Sequence, residues 1–183
     1  MRKLFAFNMM TLDGYFEDAE QGIGWHAVEP EFDEFALDML WSIDTILLGR
    51  KTYEGMAAYW PAADDQPREM IDMMNNHEKV VFSSTLSGTD WNNACVESGS
   101  AQEEIARLKQ AAGKSIALFG SAELANSLLP SGLIDEYWIM LHPVVLGAGT
   151  PLFGGINAPQ QLTLRHCFQY QTGNVLLKYE VSG

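Results

Sequence analysis

Three apolar runs of strand length end in glycine or hydroxyl residues, and these ends are the positions best suited to hold a ligand. They read GRKT at 49–52, SST at 83–85 and FGSA at 119–122. In an open α/β sheet, ligands gather beyond the carboxyl ends of the strands. Glycine there lets a phosphate approach the backbone, and the free N–H groups of a helix start favour an anion. Each end alone is equally typical of an ordinary turn, whereas the three together predict a nucleotide site.

Arg50 and Lys51 are adjacent bases in a chain that has few bases. Among its 183 residues, 11 are basic and 24 are acidic, for a formal net charge of −13. The pair therefore supplies the local positive charge that a phosphorylated cofactor needs. The overall acidity argues against nucleic acid or an anionic membrane as a partner, because both bind mainly through Lys and Arg spread over a surface.

Strand-length apolar runs alternate with segments of helical period, which is the pattern of an α/β domain. The predicted strands cover residues 4–9, 45–48, 79–82, 115–119, 136–142, 161–170 and 175–181. The predicted helices are one that begins at Pro30, with an apolar stripe from Phe32 to Ile43, and those over 68–75, 100–112 and 122–129. Ser100 and Glu103 have the spacing of a capping box at the start of the third of these. No helix separates the last two strands, so we expect a mixed, mostly parallel sheet with an antiparallel C-terminal end. No linker or repeat divides the chain, and residues 1–183 are interpreted as one domain.

Membrane and disulfide signals are weak in this sequence. No run approaches the roughly 18 apolar residues that span a membrane, and the first residues do not resemble a signal peptide. Cys95 and Cys167 lie far apart in strand-like patterns, which predicts buried thiols in a reducing compartment. We therefore expect a cytoplasmic protein.

Six motifs in order resemble the dihydrofolate reductase superfamily, specifically the branch that includes the C-terminal reductase domain of bacterial riboflavin biosynthesis. They are MTLDGY (10–15), LLGRKTY (47–53), VFSSTL (81–86), FGSAEL (119–124), GLIDE (132–136) and PVVLGAG (143–149). None is a full GxGxxG or Walker loop, which disfavours the usual dinucleotide-binding and NTPase folds. The resemblance implies an eight-stranded mixed sheet flanked by helices, bound NADPH and a homodimer.

The resemblance also implies roles for particular residues. Cofactor contacts are implied at Gly49, Arg50, Lys51, Thr52, Ser83, Ser84, Thr85, Gly120, Ser121, Ala122, Glu123 and Leu124. The first four would meet phosphates, the next three the adenosine ribose and its 2′-phosphate, and the last five the pyrophosphate. Leu12, Asp13 and Gly14 would begin a mobile loop over the nicotinamide. Ser121 departs from the two glycines usual in this branch; it is able to cap a helix but adds a side chain where phosphate must approach.

Reduction by hydride also needs a proton source, and acidic side chains are the candidates. In dihydrofolate reductases a helix carboxylate binds the pterin ring, and the matching helix here begins at Pro30. Glu31 and Asp33 flank its apolar stripe, whereas Glu34 points to solvent, so Asp33 or Glu31 is the favoured catalytic acid. Acids in a first turn are also favoured by the helix dipole whatever the function. Asp13 is a further candidate, although Asp-Gly is also an ordinary turn.

Two residues beside the predicted loop are candidate substrate contacts. Leu12 and Trp25 flank the loop that the resemblance places over the nicotinamide, so both are predicted to contact substrate, although Trp25 is equally suited to cover the core. The histidines and cysteines show no metal-binding spacing, so no metal site is predicted.

These features favour an NADPH-dependent reductase that transfers a hydride to a pteridine, a ribosylaminopyrimidine or a related heterocycle. A phosphorylated riboflavin intermediate needs a further base, and outside the cofactor cluster only Arg68 and Lys79 lie in plausible segments. A stand-alone reductase is therefore favoured over a dedicated riboflavin enzyme. The alternative is a nucleotide-binding or dimeric interaction domain that keeps the fold without turnover.

Overall fold

Strands and helices alternate along most of the chain in a computed structural model that describes residues 1–27, 30–156 and 159–182. The strands are β1 Leu4–Thr11, β2 Tyr15–Asp18, β3 Ile43–Gly49, β4 Glu78–Phe82, β5 Ala94–Glu97, β6 Ser115–Phe119, β7 Glu136–His142, β8 Gly149–Pro151, β9 Leu162–Gln169 and β10 Val175–Val181. The helices are α1 Pro30–Ser42, α2 Arg50–Tyr59, α3 Arg68–Asn76, α4 Ala101–Gln110 and α5 Ala122–Leu128, with short 3₁₀ helices at Trp60–Ala62 and Leu129–Ser131.

One eight-stranded sheet organises the molecule, in the order β5-β4-β3-β6-β1-β7-β10-β9. The first six strands in this order are parallel to their neighbours, whereas β10 is antiparallel to both β7 and β9. The mixed, mostly parallel sheet with an antiparallel C-terminal end is therefore confirmed. Because β4, β3, β6 and β1 are successive parallel neighbours, their carboxyl ends lie side by side along one edge of the sheet.

Helices cover both faces of the sheet and bury its apolar side chains. On one face, α1, α2 and α3 contribute Ala36, Leu40, Tyr53, Met70 and Met74 to a single core cluster. On the other face, α4 and α5 contribute Ile105, Leu108, Ala122, Ala125 and Leu128. The methionines of α3 are thus core residues. The α4 start follows the predicted cap, since the Glu103 amide donates to Ser100 Oγ at 3.3 Å.

Three local expectations need correction. Ile43, predicted to end the stripe of α1, begins β3, although it is fully buried. The loop predicted over 13–24 contains β2, which pairs antiparallel with β8. The two cysteines are free thiols as predicted but are exposed, because Cys95 lies on β5 and Cys167 on β9, the two edge strands of the sheet. The prediction that they are buried is wrong.

None of the helices in the described ranges combines the length and apolarity that crossing a membrane requires.

Candidate functional site

A cavity of about 910 Å³ runs along the carboxyl ends of β4, β3 and β6. The residues predicted from the strand ends converge there, because those three strands are adjacent in the sheet. The residues that line it include Gly49, Arg50, Lys51, Thr52, Ser83, Ser84, Thr85, Ser121, Ala122, Glu123 and Leu124. Gly120, the remaining predicted contact, directly precedes this last group. The size falls within the range of small-molecule sites.

The N-terminus of α2 brings positive charge to this cavity. Gly49 is the N-cap, Arg50 and Lys51 open the helix, and its first turn holds no acidic residue. The unpaired amides and the dipole of a helix start add to the charge of the two side chains. Arg50 Nη1 donates to both carboxylate oxygens of Glu54, at 2.9 and 3.0 Å, on an exposed surface. This end of the cavity is therefore suited to an anion such as a phosphate.

Gly120 and Ser121 form a left-handed turn between β6 and α5, with φ of 54° and 57°. A Cβ atom on Gly120 would lie 3.2 Å from the Thr52 side chain and 3.3 Å from Phe16, so the position requires glycine. Ser121 does not cap α5, contrary to the role considered from its sequence position. Its Oγ atom instead accepts a hydrogen bond from the Gly49 amide at 2.8 Å and lies 3.0 Å from Thr52 Oγ1.

Ser83 shapes the turn that follows β4. Its Oγ atom accepts hydrogen bonds from the amides of Thr85, at 3.2 Å, and Leu86, at 3.1 Å. Ser84 and Thr85 are exposed at the cavity. This end of the cavity therefore offers hydroxyl groups.

The segment after β1 closes one side of the cavity, with Phe16, Glu17, Gln21 and Ile23 lining it. Asp13 fixes the start of this segment through hydrogen bonds. Its carboxylate accepts hydrogen bonds from the Gly147 amide at 2.7 Å and from Thr11 Oγ1 at 2.7 Å, and these bonds, the first more than the second, lower the pKa of Asp13. Asp13 is thus engaged in a loop contact and does not line the cavity.

The two helix acids of α1 lie outside the cavity lining. Glu31 Oε2 accepts a hydrogen bond from the Gln171 amide at 2.9 Å, and Glu31 borders a separate groove of about 570 Å³. Asp33 is half-buried in the first turn of α1. The structure therefore does not bring the predicted catalytic acids together, and the role of Asp33 stays a prediction.

Trp25 and Leu12 also lie outside the cavity lining. The Trp25 ring packs edge-on against His26, with centroids 4.3 Å apart, and against His142, at 5.3 Å. Burial, followed by the charge of His142, lowers the pKa of His26 to about 4. Leu12 is 62% exposed. Trp25 thus fastens the end of the loop to β7, and the substrate contacts predicted for both residues stay predictions.

Sequence reasoning missed the apolar part of the cavity. Met56, Tyr59 and Trp60, from the second half of α2 and the 3₁₀ helix after it, line the wall beyond the basic end. The Tyr59 and Trp60 rings meet edge-on at 5.2 Å. Tyr53, Met56, Ala57 and Trp60 show helical spacing, so the signal was present in the sequence.

The fold and the cavity together define an open α/β protein with a cavity at the carboxyl edge of its parallel strands. More particularly, the chain belongs to the RibD C-terminal domain family, whose model matches residues 2–176. The resemblance noted in the sequence is thereby confirmed. The chain is also 33% identical over 184 residues to the uncharacterized protein YyaP of Bacillus subtilis (strain 168), covering 100% of this chain and 96% of that protein.

Solved structures with the same fold include a putative riboflavin biosynthesis protein and a dihydrofolate reductase. A putative riboflavin biosynthesis protein from Shewanella sp. PV-4 aligns with a TM-score of 0.76 at 20% identity, covering 99% of each chain. Dihydrofolate reductase from Enterococcus faecalis, complexed with NADP(H), aligns with a TM-score of 0.65 at 16% identity, covering 99% of this chain and 97% of that one. The dihydrofolate-reductase-like fold is therefore confirmed, and it is a reductase-type fold.

Proposed function

We propose that the protein is an NADPH-dependent reductase that transfers a hydride to a pteridine, a ribosylaminopyrimidine or a related heterocycle. The observation that carries this proposal is one continuous cavity. It extends from the basic N-terminus of α2, which is suited to bind phosphate, to an aromatic wall. Neighbouring strands lie about 4.8 Å apart, so the ends from β4 to β6, along which the cavity runs, span about 10 Å. That length suits a dinucleotide laid across the strand ends better than a single phosphate.

The residues present fit such a cofactor. Arg50, Lys51 and the first amides of α2 would bind phosphate, and the hydroxyls of Ser84 and Thr85 would bind the ribose with its 2′-phosphate. Gly120 keeps the turn before α5 compact, since a Cβ atom there would lie only 3.2 Å from Thr52 and 3.3 Å from Phe16. The cofactor supplies the hydride, and the chain supplies binding, orientation and exclusion of water.

Asp33 is the acid that we propose as the proton source. Glu31 is held by the Gln171 amide and Asp13 by the amides of the 146–147 turn, so both serve local structure. Asp33 lies two residues from Glu31 in the first turn of α1, outside the residues that line the cavity. For Asp33 to deliver a proton to the atom next to the one that receives the hydride, the substrate would have to extend from the cavity towards α1.

The proposal is tested by following NADPH oxidation with 7,8-dihydropteridines and with aminopyrimidine substrates. Oxidation that requires both the heterocycle and the protein supports it. Saturable NADPH binding without oxidation in the presence of any of them would favour the alternative, a nucleotide-binding domain without turnover.

We also propose that two copies of the chain associate through β9. This eight-residue strand is an edge of the sheet, and Leu164 and Phe168 on it are each 48% exposed. An exposed edge with apolar side chains is a ready surface for pairing with a second strand. Light scattering with size exclusion tests this: Leu164→Glu should convert a dimer to a monomer, whereas a wild-type monomer would contradict it.

The state of the two cysteines indicates the cellular compartment of the protein. Both are exposed free thiols, and exposed thiols persist in reducing compartments. We therefore propose a cytoplasmic protein, which fractionation of the source cells would test.

A further inference from the structure

The basic and aromatic parts of the cavity lie at opposite ends of α2. Arg50 and Lys51 open the helix, and Tyr59 ends it nine residues later, which is about 14 Å along a helix axis. Among the described residues that line the cavity, Arg50 and Lys51 are the only bases. In the proposed function, both are used by the cofactor phosphates, so the aromatic end has no base for a second anion.

Carboxylates add negative charge to the aromatic end. Tyr59 donates a hydrogen bond from its hydroxyl to Asp65 Oδ1 at 2.6 Å. Burial raises the pKa of Tyr59, and the hydrogen bond to Asp65 and the charges of Asp65 and Asp64 raise it further. Glu54, one turn before this end, pairs with Arg50 and lines the same cavity. Asp64 and Asp65 are exposed and lie outside the cavity lining, so they act on an anionic group near Tyr59 through the negative potential that they add there.

The aromatic wall is firmly held. Asn75 of α3 donates a hydrogen bond from Nδ2 to the Trp60 carbonyl at 3.0 Å, and its Oδ1 accepts from Trp91 Nε1 at 2.7 Å. Trp60 also packs against the core cluster. A fixed wall of Met56, Tyr59 and Trp60 offers flat apolar surface, which suits stacking of a planar ring.

We propose that the second substrate is a planar heterocycle that carries no phosphate or carboxylate group and lies against Met56, Tyr59 and Trp60. This inference rests on the proposed function, because it takes the two bases as occupied by the cofactor. It separates this chain from an enzyme for a phosphoribosylated pyrimidine or for a folate with a glutamate tail. Two features would select against an anionic substrate. One is the negative charge of Asp64 and Asp65, and the other is the separation of the aromatic wall from the two bases at the start of α2.

The test compares ligands that share a ring and differ in charge. NADPH binding to the protein alone is measured first, by the fluorescence of the dihydronicotinamide. The NADPH-loaded protein is then titrated calorimetrically with 7,8-dihydrobiopterin against 7,8-dihydrofolate, and with 5-amino-6-ribitylaminouracil against its 5′-phosphate. Like-charge contacts at a binding site are costly, so the uncharged member of a pair should bind at least about tenfold more tightly.

Variants that remove negative charge test whether Asp64 and Asp65 cause the preference for the uncharged ligand. The double variant Asp64→Asn with Asp65→Asn should narrow the ratio within each pair at least about threefold at low salt. Glu103→Gln, an exposed acid on α4 at the opposite face, removes a charge elsewhere and should leave the ratio unchanged.

The outcomes separate the two proposals. If NADPH binds and the charged member of either pair binds as tightly as the uncharged one, or neither pair binds at all, this inference is overturned and the cofactor site stands. If NADPH itself does not bind, the proposed function fails, and this inference fails with it.

Discussion

The Oγ atom of Ser121 lies 2.8 Å from the backbone nitrogen of Gly49 and accepts its hydrogen bond, so the end of β6 is tied directly to the end of β3. The same hydroxyl lies 3.1 Å from the Phe119 carbonyl, and the Ser121 amide donates to Thr52 Oγ1 at 3.1 Å. Ser121 therefore joins two of the three strand ends that form the cavity.

Ser121→Ala should destabilise the fold by about 1–3 kcal/mol, because the Gly49 amide loses its buried partner. Ser121→Gly loses the same bonds but relieves the left-handed backbone, a gain of about 1 kcal/mol. Urea unfolding of the three proteins measures both effects. A glycine variant less stable than the alanine variant would contradict the strain assigned to Ser121.

Gly120→Ala should weaken NADPH binding at least about tenfold, since a methyl group at φ of 54° meets Thr52 and Phe16 and shifts the turn. The matched control is Gly88→Ala, because a Cβ atom there has no neighbour within 4 Å. Fluorescence titration with NADPH compares the two variants. Unchanged affinity in Gly120→Ala would show that the turn does not approach the cofactor.

Glu54→Gln should strengthen NADPH binding several-fold at low salt, because it frees Arg50 to meet phosphate. Arg50→Ala should weaken the binding at least about tenfold, since it removes a charge-assisted contact. Arg68 and Asp72 form an i, i+4 pair of the same kind on α3, outside the cavity lining, and supply the control. If Asp72→Asn changes NADPH affinity as much as Glu54→Gln does, the effect comes from the net charge of the protein and not from the release of Arg50.

Asp33→Asn should lower turnover about 100-fold or more with little change in NADPH affinity, as expected for loss of a proton donor. Glu34→Gln, a neighbouring exposed acid on the same helix, is the control. Steady-state rates and cofactor titration are measured on both. Unchanged turnover in Asp33→Asn removes this residue from the mechanism.

Stability should fall as the pH drops from about 6.5 to about 4. Burial, followed by the charge of His142, lowers the pKa of His26 to about 4 in the folded state, against 6.5 for the free side chain. Between these values the unfolded chain binds the additional proton, so His26 costs up to about 3 kcal/mol of stability at the acid end and nothing above pH 6.5. Denaturant unfolding against pH should show this slope.

His26→Phe should flatten that slope, and His166→Phe, at an exposed histidine of β9, should leave it intact. The ring of His26 stacks on His142 at 5.5 Å, and His142 Nδ1 accepts from the Ala27 amide at 3.4 Å. Protonation of His142, whose pKa burial also lowers, would break this bond at the end of the loop. Equal slopes in the two variants would exclude His26 as the cause.

Local signals in the sequence predicted much of the fold. The stripe of α1 and the Ser100 cap of α4 are encoded within a few residues, and both are present. The exposure of Cys95 and Cys167 depends on strand order, because the same alternation occurs in a central strand and in an edge strand. Edge positions are set by pairing between distant segments and are not visible in a single strand.

Some residues of the candidate site were likewise predictable from local sequence, and others were not. The strand ends were predictable because their chemistry follows each strand directly, and parallel pairing then gathers them. The engagement of Glu31 was not predictable, since its partner Gln171 lies 140 residues away. The aromatic wall at Tyr59 and Trp60 was missed because no helix was predicted over Arg50–Tyr59.

Competitive titration of the purified protein with NADPH and NADH tests the central claim most directly. We expect saturable binding of one NADPH per chain, with NADPH tighter than NADH at least about tenfold through the 2′-phosphate placed at Ser84 and Thr85. Failure of both nucleotides to bind would contradict it.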